Sequence, residues 1–188
     1  EHPSMRAVDV LIMGRKGDIR RRIDTIIGTI AGWVNDEEIA IVGRSNLHDP
    51  TVVRIMDVSG TTQREWPLGS RVHNFDLSPS GRFASYTTIL GERGGNGHFL
   101  IDLDSGHRTM LAAPMSLRWL PDESALIVLP IERNKAGSFE FFYAPLPWNG
   151  PSLSLTAELN HRILMESFDW VISPSGNMLA YREERTLR

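Results

Sequence analysis

Cysteine is absent from the 188-residue chain. That excludes disulfide staples, thiolate metal centres and thiol nucleophiles, while disulfide-free domains occur in every compartment, so the localisation stays open. Apolar runs of about 18 residues are also missing, so no membrane insertion is expected. The N-terminal stretch carries Asp9, Asp18 and a group of arginines where an export signal would be apolar, so none is expected in this chain. A net charge of -3 supplies no field to gather nucleic acid, which is not an expected partner. His-Glu-x-x-His, Gly-x-Ser-x-Gly and metal-ligand spacings of His and Asp do not occur. The glycine-rich Gly91 to Gly97 lacks the Gly-Lys-Ser/Thr of a phosphate loop. The expectation is a chain without catalytic residues, metal or cofactor.

Hydrophobic residues make up 41% of the sequence and charged residues 23%, values of a globular protein, and one domain over residues 1–188 is expected. Within it a unit of about 44 residues recurs. Four segments share a large apolar residue, a short turn and an apolar run: Trp33 to Val42, Leu77 to Tyr86, Trp119 to Val128 and Ile172 to Tyr181, aligned without a gap. A second landmark, a glycine turn after an apolar stretch, recurs at Gly17, Gly60, Gly106 and Gly150. Two such hairpins per period make a four-stranded antiparallel sheet with strands a to d. Ile39 to Val42 and Ala125 to Leu129 are continuous apolar runs, as expected of strands covered on both faces by neighbouring sheets. The fold class is therefore all-β, a β-propeller of four blades at about 28–66, 72–112, 115–157, and 167–184 plus 8–24. Pairing of the N-terminal c–d hairpin with the C-terminal a–b hairpin is expected to close the ring, leaving a monomer. Trp33, Leu77, Trp119 and Ile172 take equivalent places and are expected in the core.

Ser-Pro-Ser-Gly at 78–81 and 173–176, and Leu-Pro-Asp at 120–122, resemble the W-S-P-D-G signature of TolB-type, WD-like propeller repeats. Asp102-Leu-Asp-Ser-Gly106 resembles their D-x-x-T/S-G hairpin, and the first repeat departs with Val-Asn-Asp-Glu. The resemblance implies the propeller fold and a choice of functions. The family includes periplasmic partner-binding modules, sensor domains and the noncatalytic propellers of serine peptidases.

The b–c loops are long and polar, whereas the a–b and c–d turns are tight, and binding tends to sit on such loops. Arg44, His48, Asp49, Glu92, Arg93, His98, Glu132, Arg133 and Lys135 are the candidate contacts for a protein or peptide partner. The d–a connector adds apolar Ile163, Leu164 and Met165. Asn74, Asp76, Arg118 and Asp169 interrupt apolar inner strands, and are expected as a polar network, or a small-ligand or ion site, lining a central channel. The basic cluster Arg15, Lys16, Arg20, Arg21 and Arg22 is read as an outer edge that discourages aggregation. Three readings stay open: a noncatalytic interaction module, the propeller of a larger peptidase or sensor, and a channel binding a small ligand.

Overall fold

The computed structural model describes residues 7–69, 72–88, 97–111, 115–130, 135, 139–147, 153–157 and 170–181. Its described residues contain strands and turns and no helix. The chain divides into two compact units, Glu1–Leu111 and Ala112–Arg188.

The first unit holds β1 (Val8–Met13), β2 (Ile19–Trp33), β3 (Glu38–Arg44), β4 (Thr51–Asp57) and β5 (Thr62–Gly69) in one antiparallel sheet, in that order. A second sheet takes β6 (Val72–Leu77), β7 (Phe83–Thr88), β8 (Gly97–Asp102) and β9 (Arg108–Leu111). β2 serves two neighbours: residues 19–26 pair with β1, and Ile27 to Trp33 pair with β3. Gly28 faces Gly43 at the start of that second pairing. A Cβ on Gly28 would overlap the Val42 carbonyl oxygen and stand 2.5 Å from the Gly43 Cα, so only glycine lets the backbones approach this closely.

The alternation of β3 sorts its side chains to two cores. Ile39 and Ile41 pack with Met56 against Val10, Ile23 and Ile26 of the β1–β2 hairpin. Ala40 and Val42 pack with Val53 and Ile55 against Ala84, Tyr86, Ile101 and Leu103 of the second sheet. Every residue from Ile39 to Gly43 is buried, as the apolar run demands.

In the second unit, β10 (Met115–Trp119), β11 (Ala125–Pro130), β12 (Phe142–Pro145) and β13 (Leu153–Ser154) form a four-stranded antiparallel sheet. β14 (Trp170–Ile172) and β15 (Leu179–Tyr181) form a hairpin. Its Trp170 meets Phe141 edge to face at 5.2 Å and donates from Nε1 to the Ser116 hydroxyl at 3.2 Å. Ala125, Ile127 and Leu129 complete this core.

The expected pairing of the terminal hairpins is not among the described strand pairings, in which β1 pairs with β2 and β14 with β15. Two further expectations are corrected. The repeats do not align without a gap: Trp33 pairs with Ile39, whereas Leu77 pairs with Ala84, Trp119 with Leu126 and Ile172 with Leu179. In the latter three turns the fourth residue takes a positive φ, at Gly81, Glu123 and Gly176. In the first turn Asn35 instead accepts from the Glu37 and Glu38 amides and closes one residue earlier. Trp33 is also not core: it is 54% exposed, against 8% for Trp119. It shares a face with Ile39, and the cluster under the β1–β2 hairpin stops short of it.

Candidate functional site

The β3–β4 loop is the best-defined of the long loops. Asn46 organises it, accepting at Oδ1 from the His48 amide (3.0 Å) and donating from Nδ2 to Asp49 Oδ2 (2.5 Å). Arg44 folds back to donate to the Leu47 carbonyl at 3.1 Å. The root of the loop is tied down by Arg54 of β4. Its guanidinium donates to Ser45 Oγ (3.0 Å), Asp24 Oδ2 (3.1 Å) and Glu65 Oε2 (2.6 Å). Burial works against the Arg54 charge, but Glu65 and Asp24 outweigh it and hold its pKa above the ordinary value. Two of the expected contact residues, Arg44 and Asp49, thus brace the loop. Its tip presents His48 together with Leu47, which is 53% exposed. Leu47 was not singled out from the sequence; the available signal was an apolar residue inside an otherwise polar connector.

The other sequence-derived candidates separate. Lys135 is exposed. His98 is not a loop residue: it lies in β8 between Thr87 and Leu111 and is 3% exposed, so a partner cannot reach it. Glu92, Arg93, Glu132, Arg133 and Asp169 lie outside the described residues, as does the Ile163 to Met165 connector. Asn74 and Asp76 were expected to be buried and are exposed, because β6 bulges between His73 and Asp76. Asn74 takes the left-handed conformation there, φ 51°, which asparagine tolerates. Arg118 packs its guanidinium over the Trp170 ring at 5.3 Å and donates to the Leu117 carbonyl.

The tight turns carry the charge order of the first unit. Asp57 and Asp102 each cap a glycine turn. Asp57 accepts from the Ser59 and Thr61 amides, and Asp102 from those of Asp104 and Ser105. The Ser59 hydroxyl and the Thr61 amide hold Asp57 below the usual carboxylate range. Burial pushes Asp102 upward, but the Ser105 and Asp104 amides and Arg82 prevail and lower it. Arg64 of β5 pairs with Glu38 at 3.2 Å and with Asp104 on the next sheet, tying the two sheets together at their turns. Trp66 stacks on Gly106, and its Nε1 donates to the Leu103 carbonyl at 3.1 Å. Among the described residues no three His, Asp or Glu side chains gather as a metal centre requires.

No family model and no curated protein matches the chain. Solved structures do. TolB from Acinetobacter baumannii aligns over 92% of this chain and 42% of its own, at 17% identity and a TM-score of 0.56. The β-propeller domain of the Trilobed protease from Pyrococcus furiosus, which has an open velcro topology, aligns over 82% of this chain and 50% of its own. Its identity is 10% and its TM-score 0.52. Hydrazine synthase of Kuenenia stuttgartiensis aligns over 92% of this chain and 54% of its own, at 15% identity and a TM-score of 0.54. The sheets therefore have the fold of TolB-like β-propellers, and the chain spans about half the length of the structures it matches.

Proposed function

We propose that the chain is a noncatalytic β-propeller module that binds a protein or peptide through the β3–β4 loop and the equivalent loops of the following sheets. The observation that carries this reading is the preorganised tip of that loop. Leu47 and His48 are exposed on a backbone braced by Asn46, Arg44 and Asp49 and anchored by Arg54. An apolar anchor beside a polar group, held without further ordering cost, suits a contact hot spot. In this reading the β14–β15 hairpin is two strands of a fourth blade, and its outer strands come from a hairpin of the β1–β2 type.

The test is partner capture by the immobilised chain, with Leu47→Asp and with Arg93→Glu plus Arg133→Glu. Each variant is expected to lose captured partner by tenfold or more, about the 1.4 kcal/mol of a modest hot spot. Melting temperature should hold, since exposed substitutions cost within about 0.5 kcal/mol. Capture that survives both variants sinks the reading. The coverage of about half of each neighbour supports a second reading, in which the module is part of a larger propeller protein. Native flanking sequence decides that point: further blades or a catalytic domain would carry it.

A further inference from the structure

The β14–β15 hairpin is covered on one face only. Trp170, Ile172, Leu179 and Tyr181 pack toward the β10–β13 sheet, while Val171 and Met178 are 60% and 69% exposed. Beside the hairpin a cleft of about 210 Å³ opens, walled by Ile127, Tyr143, Leu155, Ile172 and Leu179. In the complete β6–β9 sheet, the place next to the second strand is taken by the third strand. Among the described residues β15 has β14 alone as its ladder partner.

The β1–β2 hairpin has the converse surface. Its Val10, Ile12, Ile23 and Ile26 pack under β3 and β4. The opposite face exposes Leu11 and Met13, at 44% and 61%, and β1 is the outer strand of its sheet. Its turn repeats that of the β4–β5 hairpin. Gly17 donates to the Gly14 carbonyl as Gly60 does to Asp57, and Gly14 donates to Asp18 as Asp57 does to Thr61. Superposing the two turns sets Met13 on Met56 and Leu11 on Arg54. The pairs Trp33↔Ile39 and Ile172↔Leu179 likewise set Leu179 on Ile39. Since Ile39 pairs with Met56 and Ile41 with Arg54, the repeat dictates a register: Leu179 opposite Met13 and Tyr181 opposite Leu11. Residues directly opposite share a face, so in this register Met13 and Leu11 enter the cleft together.

We propose that the β1–β2 hairpin of a second copy of this chain adds to β15 in that register, filling the cleft with Leu11 and Met13. This rests on the propeller reading above. A second copy is indicated because the chain spans 42% to 54% of the propeller chains it matches, so about two chains supply the blades of such a ring. The contact is head to tail, and two copies related by a twofold axis satisfy both ends at once.

Light scattering reads the mass, expected at twice 21.1 kDa. Leu11→Asp with Met13→Asp removes the donor face, and Leu155→Asp spoils the cleft. Each variant should fall to monomer mass with unchanged circular dichroism, and mixing the two should restore a dimer through the one intact contact. Leu47→Asp should leave the dimer unchanged. A register test survives any folding defect. Because the chain has no cysteine, Met13→Cys and Leu179→Cys can be placed on separate copies and oxidised. A crosslinked heterodimer is expected. A monomeric wild type, a disulfide within one chain of the double variant, or no crosslink each overturns the proposal, the second by showing closure on its own ends. Partner capture by the loop is a separate measurement, so either reading can fail alone.

Discussion

β3 and β15 are the same strand of the repeat in different company. β3 has strands on both edges and apolar sheets on both faces, so its five central residues are buried. β15 has one described edge partner and one covered face, and its middle residue Ala180 is exposed. The sequence of each is apolar: Ile-Ala-Ile-Val in β3 and Leu-Ala-Tyr in β15. The difference lies in the surroundings, which is why burial free energy belongs to the joint between sheets rather than to the strand.

The largest expected effect breaks the joint at β3. Tyr86 is 1% exposed between Phe75 and Phe99, with ring centroids at 6.4 and 5.4 Å. Tyr86→Ala should cost about 3–5 kcal/mol in denaturant unfolding. Next, a glycine series separates crowding from backbone strain. Gly106 has φ 73° and Trp66 atoms from 2.6 Å around its absent Cβ, while Gly17 has φ 85° and open space. Gly106→Ala should cost about 2–4 kcal/mol, and Gly17→Ala only the left-handed term of about 1 kcal/mol. Equal losses would show that the indole moves aside.

A smaller effect follows from the caps. Asp102 is held below its usual pKa, so its contribution is present above the unfolded value and lost as pH falls through the folded one. The unfolding midpoint should therefore drop below about pH 4. Asp102→Asn should be less stable than the wild type at pH 7 and converge with it in acid. A constant gap across pH would remove Asp102 from the acid response. The smallest effect lies on the uncovered face near β15, where Met178→Ser should change stability by no more than about 0.5 kcal/mol.

The strands were legible because turn chemistry marks them. The Ser78 and Ser173 hydroxyls each accept from the amide five residues on, Phe83 and Met178, so identical four-residue words fold into identical turns. The first turn read wrongly because Asn35 closes it through a side chain, which shortens the loop without changing its polar look. His98 read as a loop residue because Gly97 and His98 carry no strand preference; pairing on both sides draws them into β8. Asn74 and Asp76 read as buried because alternation assumes an unbroken pleat, and the bulge in β6 turns them out. The bracing roles of Arg44 and Asp49 depend on loop geometry that no spacing encodes.

Each described ladder joins a strand to its immediate successor in sequence. Loop-closure entropy is then small at every step, and hairpins can form within about microseconds of emerging before any distant contact exists. A chain wired this way can assemble from its N-terminus during synthesis, each hairpin serving as the template on which its successor condenses.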